Sequence, residues 1–507
     1  MSRISAFAAA PVFVLLMGGV AHAALTADQV WAGWKDAATS AGLSVTAATE
    51  VSDGGVLTLN GVTVSGTGGA VTISDMTLTE ESDGSVTVEP ASEIKLDLSG
   101  TGGSGTGLVT SEALVVSVSE GEAGLDYGFA ADALKLAFDS SGPAAIAPAE
   151  GTVAEPATAG GTLSFTALEG GFVGAAGDNS MVSISLAADL LAYDIRNADP
   201  GAQMKTAQTS SMEDLVAEID LTLPKTLALS ALTSAAAFST ALSEGMALEA
   251  TFEQGATKGT SLDENPFFPL DMAYVGAPGK TTLRMDAAAV VIDSEGEGME
   301  MTLKSAMIPA PQVTLKTGAL AVGLTMPLMA GQAAGDYRLL VNLADVVLGE
   351  EAWALFDAGK VLPRDPAQLD LDLGGKIKMD VLALAAAQEG GMTEVTPPEP
   401  QSFDIRALSL SVAGAVLTGA GAFTFDNSAV ATGGAPVPVG KGEVALTGGN
   451  ALIDGLIKTG LMTEENAGGL RMMIGAFATA GAEPDSLTST IEAKADGQIL
   501  VNGQRVQ

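Results

Sequence analysis

Val182-Ser183-Ile184-Ser185-Leu186 alternates apolar and polar side chains with a period of two, the signature of a strand that buries one face and wets the other. The same alternation recurs at Leu57-Thr58-Leu59, Ile94-Lys95-Leu96-Asp97-Leu98, Leu134-Lys135-Leu136-Ala137-Phe138 and Leu215-Val216-Ala217-Glu218-Ile219-Asp220-Leu221. It returns at Tyr337-Arg338-Leu339-Leu340-Val341-Asn342-Leu343 and Leu408-Ser409-Leu410-Ser411-Val412, so strands run almost from end to end. Dipeptides that admit positive φ punctuate these runs: Asp53-Gly54, Asn60-Gly61, Asp83-Gly84, Gly374-Gly375, Asp496-Gly497 and Asn502-Gly503. Such turns join antiparallel neighbours. No strand-helix-strand alternation appears, which argues against a parallel α/β sheet. The fold class expected is mainly β: a large antiparallel sheet, curved and twisted, forming a groove or two layers, with a few helices packed on it.

One hairpin can be registered from sequence. In Asp370-Leu371-Asp372-Leu373-Gly374-Gly375-Lys376-Ile377-Lys378-Met379, a three-residue loop pairs Leu373 with Ile377 and Leu371 with Met379, and sets Asp372 opposite Lys378. Helical patterns are few. Thr26 and Gln29 form a capping box before the stripe Val30, Trp31, Trp34 and Ala38, with Gly42 as the stop; this helix is expected to pack on a sheet. Others are expected near 229–243, 350–359, 451–460 and 464–479. Pro- and Gly-rich stretches at 142–161, 197–211, 391–402 and 433–442 read as loops, those near 142–161 and 391–402 as flexible insertions.

The first residues read as an export signal. Arg3 precedes the apolar stretch Ile4–Val20, and Ala21-His22-Ala23 offers a small-x-small cleavage pattern, so residues 1–23 are expected to be removed. Residues 24–507 then form a single large β-rich unit in the periplasm or outside the cell. No further membrane span is expected: Gly318–Ala334 is interrupted by Thr325, Pro327 and Gln332 and alternates like a strand. With aromatics at 4%, the girdles of an outer-membrane barrel are missing as well.

Composition closes several mechanisms. The chain has 507 residues, no cysteine and one histidine, His22, which leaves with the signal. Imidazole-dependent catalysis, thiolate catalysis and the common zinc sites therefore lack their side chains. The 61 acidic residues against 23 basic ones give a net charge of −38, which repels nucleic acid and anionic surfaces.

The motifs that remain are near misses. Gly100-Thr101-Gly102-Gly103-Ser104-Gly105 fits G-x-G-x-x-G, but a strand pattern follows instead of a helix. Gly434–Lys441 has one residue too many for a phosphate loop and lacks the hydroxyl residue after lysine. Ser92 and Lys95 have S-x-x-K spacing but point to opposite faces of a strand. Asp293-Ser294-Glu295-Gly296-Glu297-Gly298 resembles half a calcium loop, yet Lys304 stands where the bidentate glutamate belongs; a solvated acidic hairpin turn is expected. No catalytic, cofactor-binding or metal-ligating residue is singled out, and no enzyme activity is expected.

Glu351-Ala352-Trp353-Ala354-Leu355-Phe356-Asp357-Ala358-Gly359-Lys360-Val361-Leu362-Pro363-Arg364-Asp365-Pro366-Ala367-Gln368-Leu369 carries a more specific pattern. Together with Leu25-Thr26-Ala27-Asp28-Gln29-Val30-Trp31 and the terminal Asp496–Gly503, it resembles the exported bacterial family known as domain of unknown function 2125. The resemblance implies a Gram-negative envelope location and one long β-rich unit, and it carries no catalytic residues. Two functions fit these readings. One is an apolar groove, lined by Leu, Val, Ile, Met and Phe, that binds or carries a lipid-like molecule. The other is a non-enzymatic structural component that meets an envelope protein through sheet edges, loops or the acidic surface.

Overall fold

The computed structural model describes residues 24–506 apart from 67, 101–102, 123, 144–154, 176–178, 225–233, 330–332, 389–396 and 431–432. The expected export signal and the centres of both expected insertions lie outside the described residues. What is described is mainly β: a large antiparallel sheet with 29 strands and six helices. The chain divides into two compact units. One comprises residues up to 225 with 251–275 and 305–307; the other comprises 226–250, 276–304 and 308–507.

In the first unit, strand Val56–Gly66 pairs on one side with Ser44–Thr46 and Thr49–Asp53, and on the other with Gly69–Glu80. The last of these meets Val86–Pro90 and Glu93–Gly100, which meet Val115–Glu120 and Gly103–Glu112. Both of those strands pair with Leu125–Gly142. Three long strands follow, Ala157–Ala175, Ser180–Asp199 and Met204–Leu223, and the Met204–Met212 half ends on Thr257–Asp263.

The helix Ala27–Ser40 begins as its capping box requires, with Gln29 N–H on Thr26 Oγ1 at 3.3 Å and Thr26 N–H on Gln29 Oε1 at 3.0 Å. Val30, Trp31 and Ala38 are buried against Leu57, Leu59, Leu78, Val86 and Val118 of the sheet. Each fully buried leucine contributes about 1.5–3 kcal/mol. Trp34 Nε1 donates to Tyr127 Oη at 3.2 Å, which ties the helix to a strand 93 residues away in sequence.

Strict alternation cannot persist over strands of up to 20 residues here, because the apolar residues change phase. Residues of the same core stand three apart at one point in each strand: Leu59 and Val62, Ile73 and Met76, Phe165 and Leu168, Ala188 and Leu191. Ala131 and Leu134 repeat the pattern, Ala131 being buried and Leu134 packed in the core with Leu168. An ordinary strand would put such pairs on opposite faces. The structure resets the phase at a residue without a partner in the ladder: Gly61 opposite Ser74, Ala167 opposite Asp132, Asp214 opposite Asp189. Gly61, Ala167 and Asp214 have φ of 64°, 49° and 48°, the left-handed conformation that turns the chain over. These positions line up across neighbouring strands, so each long strand is two half-strands sharing one apolar face.

The second unit carries strands in the order Gly279–Met285, Ala289–Gly296, Ala319–Pro327, Gly335–Leu348, Ala367–Lys378, Glu399–Val412, Ala415–Asp426, Val437–Thr447 and Ser486–Ala493. The hairpin expected around Gly374-Gly375 is absent. Ala367–Lys378 is one strand, in which Leu373 and Gly375 face Leu339 and Tyr337 on one side and Ile405 and Phe403 on the other. Gly375 is needed for close approach, since a Cβ there would stand 2.1 Å from Ser402 O and 2.9 Å from the Tyr337 hydroxyl. Asp372 stands opposite Leu340 and Ala407, and its carboxylate accepts paired hydrogen bonds of 3.0 and 2.8 Å from the diagonal Arg338; it is not set opposite Lys378.

Several other expectations are corrected. Asn60-Gly61 lies inside a strand and is a phase reset, not a turn. Strands occupy 197–199 and 204–211 of one expected loop and begin at Val437 in another. The expected insertions are strand at 157–161 and again from Glu399. The acidic stretch at 293–296 is the end of a strand and no hairpin turn, because Ala289–Gly296 pairs with 279–285 and 319–327 while Met299–Lys304 pairs with 313–317. Helix Val381–Gln388 has no counterpart among the expected helices, because its first seven residues are all apolar and leave no amphipathic period to read. The expected turns hold at Asp53-Gly54, Asp83-Gly84, Asp496-Gly497 and Asn502-Gly503, and the expected helices near 350, 451 and 464 form.

Because a left-handed residue with a Cβ costs about 1–2 kcal/mol, Ala167→Gly is expected to raise stability by about 1 kcal/mol and Ala167→Val to lower it. Urea unfolding of the two variants checks this; a destabilising glycine would contradict the phase reset.

Candidate functional site

Two cavities of the first unit mix polar and apolar linings. One of about 930 Å³ spans the strand ends and is lined by Thr106, Asp139, Thr162, Asp194, Arg196 and Lys205 among others, with Arg196 held to Asp194 at 2.8 Å. A second, of about 550 Å³, includes Ser117, Ser185, Glu169 and Glu218. The first also takes in Phe138 and Leu262, and the second takes in Phe129 and Leu186, which pack on the core around Leu168, so each places charged and hydroxyl groups beside apolar ones. Neither is a groove lined by Leu, Val, Ile, Met and Phe.

Such a surface lies in the second unit. Cross-strand register lines up seven leucines, Leu320, Leu343, Leu369, Leu410, Leu417, Leu446 and Leu487, each opposite the next. A parallel row holds Val322, Val341, Leu371, Leu408, Gly419 and Val444, and a third holds Ile292, Leu324, Leu339, Leu373, Ile405 and Gly421. Alternation puts all three rows on one face. The strand Glu399–Val412 keeps its own residues there by a bulge at Arg406-Ala407, which returns Ile405 and Leu408 to the same side.

Within the six adjoining strands from Ala289–Gly296 to Ala415–Asp426 that carry the rows, none of these side chains is buried. Ile292, Leu320, Val322, Leu339 and Leu410 are 36–39% exposed. Burial in this unit gathers at the strand ends. Leu242, Met246 and Leu328 are buried near one end; Ala352, Leu362, Ala415 and Ile453 are buried near the other. A fourth row closes the patch with aromatic rings: Tyr337, across Gly375, then Phe403 and Phe423. Tyr337 Oη donates to Ser402 O at 3.0 Å, and burial together with the Asp404 carboxylate pushes its phenol above the ordinary value.

The opposite face is charged. Arg338 clamps Asp372 from one strand and Arg406 lies 3.6 Å from it on the next. The Arg338 hydrogen bonds, opposed by burial and assisted by the charges of both arginines, hold Asp372 below the usual carboxylate range. A Cβ on Gly374 would stand 2.9 Å from the Arg406 guanidinium, so glycine leaves that side chain room.

The segment 350–366 locks one strand end. Asp357 is 2% exposed and accepts N–H groups of Val361 and Leu362 at 2.8 and 3.0 Å. Arg364 donates to Asp357 O at 2.9 Å and stacks 4.5 Å from the Trp353 ring. Burial pushes Asp357 up, but the two backbone N–H groups and Arg364 outweigh it and leave the carboxyl below its ordinary value. Leu362 packs against Gly455 of helix Gly449–Lys458, where a Cβ would stand 2.5 Å away. The specific residues of this segment thus have structural work: they fasten helices to the sheet.

The fold does not gather the near-miss motifs into a site: Lys441 pairs with Glu492 at 3.6 Å and Asp293 with Arg284 at 4.0 Å. Gly100 and Gly103 face each other across a strand pair, and Lys441 lies within a strand. Asp293 and Glu295 lie on the strand Ala289–Gly296, and no group of three or more His, Asp or Glu residues among the described residues could hold a metal ion. No described helix is long and apolar enough to cross a membrane.

Residues 269–503 match the family DUF2125, an uncharacterized protein conserved in bacteria. That span holds the leucine row, the Trp353–Arg364 lock and the terminal Asp496–Gly503; it leaves out the helix that starts at Ala27. Neither a curated protein nor a solved structure matches the chain.

Asp357 and Asp372 have lowered folded-state values, so their stabilisation is complete above an unfolded value near 3.9 and is lost as pH falls through the folded one. Melting temperature is therefore expected to drop below about pH 4, and Asp372→Asn to start lower at neutral pH with a shallower acid decline. Thermal melts from pH 7 to pH 2.5 check the slope.

Proposed function

We propose that this protein is exported and binds or carries a hydrophobic, lipid-like ligand on the aliphatic face of residues 289–426, without catalysing a reaction on it. The observation that carries the reading is the incomplete burial of three registered rows of Leu, Val and Ile, five of them exposed, in the middle of a sheet whose ends are buried. Their backbone donors and acceptors are engaged in the ladder, and their side chains carry no polar atom. An occupant thus gains only by apolar contact, as a hydrocarbon chain does.

Dimensions favour a small occupant. Six strands at about 4.8 Å and three rows about 6.8 Å apart give a patch near 24 by 14 Å. A stable protein interface needs about 800 Å² per partner and a hydrogen bond for every 100–200 Å². The three aliphatic rows offer no side-chain hydrogen bonds to such a partner. Their glycines, Gly419 and Gly421, deepen the surface beside Leu408 and Phe423, whose atoms stand 3.0 and 3.2 Å from where a Cβ would be. Ile4–Val20 and Ala21-His22-Ala23 support export. The net charge of −38 disfavours polyanionic ligands.

Protein purified from the periplasm without detergent is expected to carry lipid at fixed stoichiometry in native mass spectrometry. A fluorescent fatty acid is expected to bind the stripped protein and to lose at least tenfold in affinity, about 1.4 kcal/mol, with Val322→Asp or Leu339→Asp. Thr418→Asp, on the opposite face, is the control and is expected to bind as the parent does. A clean apo mass together with no fatty-acid binding overturns the reading and favours the envelope-scaffold alternative.

A further inference from the structure

In the first unit, the loop Asn265-Pro266-Phe267-Phe268-Pro269 presents two aromatic rings to solvent, Phe267 at 84% and Phe268 at 49% exposure. Met307, 62% exposed, is joined to it: Ser305 Oγ donates to Pro269 O at 2.6 Å and accepts the Met307 N–H at 3.3 Å. We propose that this tip inserts into the interfacial layer of a neutral, zwitterionic lipid bilayer, a membrane contact that stands independently of the ligand site on the aliphatic face.

Three features suit that medium. First, the tip meets part of its polar requirement internally: Phe267 N–H donates to Asn265 Oδ1 at 2.8 Å, and Pro266 and Pro269 have no N–H to satisfy. Entry into a water-poor layer is opposed by unpaired backbone donors, and here these are few. Second, both prolines restrict the backbone, so the exposed rings lose little further freedom on contact. Third, the tip projects from the surface. A fluid interface accommodates such a protrusion without a complementary shape, whereas a protein partner has to supply a matching pocket.

Charge chooses the lipid. Asp263, Glu264 and Asp271 flank the loop, and the whole chain carries −38, so an anionic surface repels the tip. A zwitterionic surface does not.

The test is flotation of the full mature chain with phosphatidylcholine vesicles, compared with vesicles containing added phosphatidylglycerol. The parent is expected to float with phosphatidylcholine, less with phosphatidylglycerol at low salt. Phe267→Ser/Phe268→Ser is expected to lower the bound fraction at least tenfold while keeping the parent's melting temperature and fatty-acid binding. Phe267→Trp is expected to shift its fluorescence to shorter wavelength on adding vesicles, which follows the tip without removing it. Flotation that the double serine variant leaves unchanged, or no flotation and no spectral shift, overturns the proposal. Concentration-dependent self-association lost in the serine variant, without vesicle binding, assigns the tip to a second copy and also overturns it.

Discussion

A strand with one apolar face must keep that face on one side for its whole length, and this constraint shapes both units. Strands of 18–20 residues such as Leu125–Gly142 and Met204–Leu223 meet it by turning over once, at a left-handed or unpaired residue, instead of ending in a loop. Without the reset, everything beyond Ala131 or Leu168 would send its apolar side chains to the polar face. The backbone cost is borne at Ala167 and Asp214, where the conformation is strained, and is offset by the cores that gather Phe165, Leu168, Ala188, Leu191 and Leu215.

The same constraint leaves the second unit with an exposed aliphatic surface. Its rows are held in line by register, yet the buried residues sit at the strand ends, where Asp357, Arg364 and Leu362 fasten a turn and a helix. A sheet built this way is buried at its margins and only half-buried at its centre. That is a suitable platform for an apolar guest, because the side chains are ordered by their neighbours before anything binds. The charged reverse face, with Asp372 between Arg338 and Arg406, distinguishes the two sides electrostatically.

Some of this was legible in advance. Alternation located the strands at 57–59, 94–98, 134–138, 182–186 and 337–343, and the capping box located the first helix, because both signals are local. Gly374-Gly375 reads as a turn because a glycine pair serves a turn and a close approach equally well, and only Tyr337 and Ser402, far away in sequence, show which is needed. The three-residue apolar spacings, Leu59 to Val62 or Ala188 to Leu191, were visible signals of the phase reset. Within one strand they look like the end of alternation; their alignment across neighbouring strands gives them meaning.

Sequence alone determined the class of fold, the expectation of export, and the absence of thiol and of imidazole beyond His22, since these depend on composition and on near neighbours along the chain. Tertiary structure decided which strands adjoin, and hence that seven leucines from seven strands fall in one row. It also decided that this row stays only half-buried, with Leu320 and Leu410 exposed, while the helix stripe of Val30 and Trp31 is covered. Exposure depends on what packs above a residue, and the period of a strand records only which way its side chains point.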